Sequence, residues 1–105
     1  MNDSYKFLGT ISATYYFASA DENYYVTLVV FSNDETLKVY FKGLEVISGA
    51  QSTIEREIIL DDVSKVECRL LAKNFSDDLV KKLILAKVCH KVHKLNVLQD
   101  FEIVY

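Results

Sequence analysis

Between Tyr5 and Phe17 the side chains alternate with a period of two: Tyr5, Phe7, Gly9, Ile11, Ala13, Tyr15 and Phe17 against Lys6, Leu8, Thr10, Ser12, Thr14 and Tyr16. A run of thirteen residues with that period fits a β-strand with one buried and one wetter face, not a helix. The polar stretch Ser19–Asn23 then reads as a hairpin turn, and Tyr24–Phe31 as a central strand, apolar on both faces and rich in β-branched and aromatic residues. After a second turn at Ser32–Glu35, Leu37, Val39 and Phe41 alternate with Thr36, Lys38, Tyr40 and Lys42 as a third strand. Gly43 interrupts it and predicts a bulge or bend before Leu44–Ser48 continues.

Gly49–Ser52 reads as the next turn, Thr53–Leu60 as a fourth strand, and Asp61-Asp62 as its end. From Lys65, the even positions Val66, Cys68, Leu70 and Ala72 stand against Lys65, Glu67 and Arg69, which predicts a fifth strand. The period then changes to 3.6. Ser76 is a suitable N-cap, acids at Asp77 and Asp78 suit the first turn, and Lys87, Lys91 and Lys94 suit the far end of a helix over Asp77–His93. One stripe of that helix carries Ile84, Leu85, Val88, Cys89 and Val92, and the opposite stripe Leu79, Leu83 and Ala86. A helix apolar on both sides calls for cover on both. Phe101, Ile103 and Tyr105 alternate with Glu102 and Val104 as a returning strand.

The expected fold is therefore α+β, a single domain over residues 1–105 in the order β-β-β-β-β-α-β. It has an antiparallel meander of about six strands with one helix packed on a face, because the doubly apolar second strand needs a covering layer.

Composition narrows function by exclusion. Half of the 105 residues are hydrophobic and 26% are charged, as in a globular domain, and the absence of proline excludes proline-rich linkers. Neither G-x-G-x-x-G nor the P-loop pattern occurs around Gly9, Gly43 or Gly49, and no serine sits in a G-x-S-x-G elbow. No apolar run approaches the ~20 residues of a membrane span. Met1-Asn2-Asp3-Ser4 lacks the basic start of a secretory signal, so the expectation is a cytoplasmic protein with no membrane partner and with Cys68 and Cys89 as thiols. Cys89, His90 and His93 are the densest set of ligand-type residues, yet Cys89 falls in the apolar stripe away from His90, so no metal, cofactor or catalytic group is assigned.

Charge is unevenly divided. Residues 63–105 carry eight bases against five acids, and residues 1–62 four against ten, within a net charge of −3. In a meander the second and fourth connections share one end of the sheet, which gathers Asp34, Glu35, Asp61 and Asp62 there. Tyr16 and Tyr40 fall among polar neighbours, on an open sheet face where tyrosine supplies contact area at low entropic cost. An acidic, cofactor-free α+β domain of this size resembles bacterial immunity proteins in general profile, a likeness of profile and not of motif. The expectation is a non-enzymatic inhibitor of a basic, toxin- or nuclease-like protein, using Asp34, Glu35, Asp61 and Asp62 with Tyr16 or Tyr40. The alternative is a small nucleic-acid-binding domain using Lys87, Lys91 and Lys94. Sequence sets no oligomeric state.

Overall fold

The alternating segments form four long antiparallel strands: β1 (Lys6–Phe17), β2 (Glu22–Ser32), β3 (Leu37–Ile47) and β4 (Ala50–Ile59). They precede two helices, α1 (Lys65–Lys73) and α2 (Asp78–Val92), and a three-residue strand, β5 (Glu102–Val104). The computed structural model describes residues 4–17, 21–92 and 102–104. The sheet order is β4-β3-β2-β1-β5, with every described neighbouring pair antiparallel. The α+β class and the antiparallel meander hold, while in place of the expected six strands and one helix the described residues form five strands and two helices.

The difference arises at residues 65–73, where the expected fifth strand is α1. Val66 and Leu70, on which the period of two rested, are 62% and 55% exposed, whereas Cys68 and Leu71 are buried and Ala72 and Phe75 pack against them. That set follows helical spacing. Ser64 caps the helix by accepting the Glu67 amide at 3.1 Å, so Ser64-Lys65-Val66-Glu67 is an S-x-x-E start signal that outweighs the short alternation. Asp77, rather than Ser76, starts α2: its Oδ1 accepts the Leu79 amide at 2.8 Å. His93 and Lys94 lie outside the described residues, as do Phe101 and Tyr105.

Register fixes which side chains face the helices. Ala13, Val26, Gly43 and Ile54 lie in one cross-strand row, and Val30, Val39 and Ile58 in another, all on the helix-covered face. The bulge is not at Gly43, where pairing is regular on both sides, but between Phe7 and Gly9. That bulge resets the phase of β1, which leaves Phe7 exposed on the other face while Ile11, Ala13 and Tyr15 are buried. Gly43 instead makes room: a Cβ there would stand 2.8 Å from the buried Phe41 ring. Likewise a Cβ on Gly9 would stand 2.7 Å from the Phe75 ring.

The β3–β4 turn is shorter than the sequence pattern indicated. Ser48 and Gly49, both at positive φ, form a two-residue loop that pairs Ile47 with Ala50, so β4 starts three residues before Thr53. Beneath the sheet, Leu28, Val30, Leu37, Val39, Phe41 and Leu60 meet Ile84, Leu85, Val88 and Cys89 of α2 in one core.

Candidate interaction surfaces

The β2–β3 turn and the β4–α1 connection do lie at one end of the sheet, where the Leu60 amide bonds the Leu37 carbonyl at 2.9 Å. Asp34, Glu35, Asp61 and Asp62 are thus gathered there, but the helices bring cations to the same place. Lys91 donates to Asp61 Oδ1 at 2.7 Å and to the Ile59 carbonyl at 3.0 Å, and lies 3.7 Å from Asp62. Lys65 lies 3.6 Å from Glu35, and Arg69 Nε donates to the Asp34 carbonyl at 3.2 Å. The Lys91 hydrogen bond holds the Asp61 carboxyl below its ordinary range, and the same bond raises the Lys91 ammonium. Of these four acids, only Asp34 has a carboxylate with no cation or donor among the described residues.

The basic candidates are committed in the same way. Lys91 is held as above, Lys87 lies 3.8 Å from Glu67, and Lys94 is outside the described residues. The two charge-defined surfaces are therefore largely a single set of ion pairs joining the helical layer to the sheet.

The open face of the sheet presents a different surface. Register places Phe7, Phe31, Lys38 and Ile59 in one row, Thr10, Val29, Tyr40 and Glu57 in the next, and Tyr25 and Leu44 further along. Phe7, Tyr16, Tyr25, Tyr40 and Ile59 are all exposed. A hollow of about 330 Å³ opens between Val29, Phe31, Lys38, Tyr40 and Glu57. A second, of about 350 Å³, is lined by Ser12, Thr14, Tyr25, Thr27, Lys42 and Leu44 among others. The Lys38 ammonium sits 4.7 Å from the Tyr5 ring centre and 5.7 Å from that of Phe31, which covers part of this apolar surface with its stem. Partial burial, then Glu55, keeps the Tyr40 phenol above its usual range, so it stays a neutral donor.

Tyr40 is thus at the middle of this face, whereas Tyr16 lies toward the far end, paired with Asn23, its hydroxyl 3.5 Å from Asp21. Sequence reasoning identified these two tyrosines but not Phe7, Tyr25 or Ile59. Tyr25 sits in a strand apolar on both faces, Ile59 in the unbroken apolar run Ile58–Leu60, and the phase of Phe7 depends on the bulge.

Groups suited to covalent or metal chemistry are sequestered. Cys68 and Cys89 are both buried and free, and burial raises both thiols, that of Cys89 to about 12. His90 is exposed while Cys89 faces the core, and among the described residues no three His, Cys, Asp or Glu side chains converge as metal ligands. The Tyr24 hydroxyl donates to Glu22 and its ring stacks on Tyr15 at 6.0 Å, so this polar cluster is bonded within the chain. No described helix is long and apolar enough to cross a membrane. No family model, curated protein or solved structure matches this chain.

Proposed function

We propose that this chain is a non-enzymatic protein-binding module of the immunity-type inhibitor kind, and that it covers a basic partner protein with the open face of its sheet. The observation that carries the reading is that Phe7, Tyr25, Tyr40 and Ile59, in three cross-strand rows, are exposed around two hollows on one face, while the helices cover the other. Exposed aromatic side chains around a hollow are the usual anchors of a protein interface. The acidic excess of residues 1–62 supports a basic partner. Glu57 lines the hollow beside Tyr40, and Asp34 presents its carboxylate at the end of the sheet. Glu35, Asp61 and Asp62, being tied to Lys65 and Lys91, add long-range field rather than direct contacts.

The test is capture from the native source after nuclease treatment, comparing the chain with Tyr40→Ala, Glu57→Lys and a control on the helical side, Lys82→Glu. The expected result is a basic protein retained by the chain and by Lys82→Glu, lost with the other two variants, and inhibited when the chain is added back. Retention that nuclease abolishes and that depends on Lys87 would overturn the reading in favour of nucleic-acid binding.

A further inference from the structure

β4 is the outermost strand of the sheet, paired with β3 on one side only. The Leu60 amide bonds the Leu37 carbonyl at 2.9 Å, which fixes the phase of that ladder. Alternate residues of an antiparallel strand exchange bonds with the neighbour, so Ser52, Ile54, Arg56 and Ile58 bond β3. The amides and carbonyls of Gln51, Thr53, Glu55, Glu57 and Ile59 point away from the sheet. Pairing along β4 is regular, with no bulge or proline to blunt the edge. Left bare, a regular edge of this length is a template for another strand.

Two cations stand on this edge. Arg56 Nη1 donates to the Glu55 carbonyl at 2.9 Å, at mid-strand, and Lys91 Nζ donates to the Ile59 carbonyl at 3.0 Å, at the strand's end. Both acceptors belong to the outward set. Arg56 is also an unusual residue for its place. Register sets it opposite Phe41, between Ile54 and Ile58, on the face that the helices cover. That face favours an apolar residue, yet position 56 carries a charge, exposed and turned to the edge. A strand laid against β4 would displace the guanidinium from the Glu55 carbonyl and press its charge toward the apolar row.

We propose that Arg56 holds the free edge of the sheet closed, and so keeps the sheets of separate copies from joining through β4. With the Glu55 and Ile59 carbonyls taken, only Gln51 and Thr53 offer consecutive free positions, fewer than a stable strand pairing needs. The acids of β4 do not supply this guard by themselves. Two copies related by a two-fold axis through Ile54 would set Ile54 against Ile54, Thr53 against Glu55 and Gln51 against Glu57, with no like charges opposed. That register opens once Arg56 is removed. The device goes beyond binding at the open sheet face and does not depend on it.

Amide hydrogen exchange over a concentration series tests this, with sedimentation velocity beside it. In the unaltered chain and in Arg56→Lys, the Gln51, Thr53, Glu55 and Glu57 amides should exchange fast at every concentration, while those of Ser52, Ile54 and Ile58 stay protected. In Arg56→Val the four outward amides should slow at least about tenfold as concentration rises, together with the appearance of a larger sedimenting species. Arg56→Thr, which adds no aliphatic side chain, should do the same. Lys82→Val, the same loss of charge at an exposed position of α2, should not. Unchanged far-UV spectra confirm folding. Outward amides already protected in the unaltered chain, outward amides that stay fast at every concentration in both Arg56→Val and Arg56→Thr, or equal protection in Arg56→Lys or Lys82→Val would overturn the proposal.

Discussion

Lys91 Nζ lies 2.7 Å from Asp61 Oδ1, so two residues that charge alone assigns to opposite binding surfaces neutralise each other. The ammonium also reaches the Ile59 carbonyl, which ties the last turn of α2 to the end of β4.

Replacing Lys91 with methionine removes this tie while keeping most of the stem. The melting temperature at neutral pH should fall by about 2–4 °C, the scale of a partly exposed ion pair in a domain of this size. Asp61 titrates below its ordinary 3.8 when folded, so its contribution is present above that value and is lost as pH falls through the lower folded value. Lys91 titrates above 10.5, so its contribution is present below that value and is lost as pH rises through the folded one. Melting curves of both proteins should therefore differ most across the neutral range and converge at both extremes.

Gly43→Ala is expected to destabilise the fold by about 1–3 kcal/mol, although alanine is ordinarily the better residue in a strand. Its Cβ would stand 2.8 Å from Phe41, which is fully enclosed and has little room to move. Gly9→Ala should cost at least as much, because Gly9 lies at a φ of +158° and its Cβ would stand 2.7 Å from the Phe75 ring. Urea unfolding of the two variants gives the order directly.

Removing the Ser64 hydroxyl, as in Ser64→Ala, should cost about 1 kcal/mol, since its oxygen caps the Glu67 amide. Amide exchange at residues 65–73 should accelerate together. Backbone chemical shifts typical of a strand there would contradict the assignment of α1.

The misreading of that segment shows where the sequence was legible. In β1, alternation over the thirteen residues Tyr5–Phe17 identified the strand, because no helix accommodates so long a period of two, and in β3 alternation over Thr36–Lys42 did the same; β2 was legible from its β-branched and aromatic content, and β4 only as Thr53–Leu60 between two turns. Over the eight residues Lys65–Ala72 the two periods share Cys68 and Ala72, and only the Ser64–Glu67 cap separates them. The acidic end followed from meander topology alone. Its neutralisation did not, because Lys65 and Lys91 reach Glu35 and Asp61 only through packing of the helices on the sheet. Phe7 was unreadable for a local reason: one extra residue at the bulge moves it to the other face.

Native thiol labelling should leave Cys68 and Cys89 unmodified at pH 8, because both are buried and both thiols are raised. Both should react on addition of denaturant. Rapid labelling of either in the folded protein would contradict the core packing described.

The most direct test of the open sheet face as the binding surface is an amide NMR titration of the labelled chain with its captured partner. The account predicts perturbations centred on Val29, Phe31, Lys38, Tyr40, Glu57 and Ile59, with α2 residues Leu79 and Leu83 unaffected by that partner. Perturbations centred instead on Asp34, Glu35, Asp61 and Asp62, or on the outer side of α2, would contradict it.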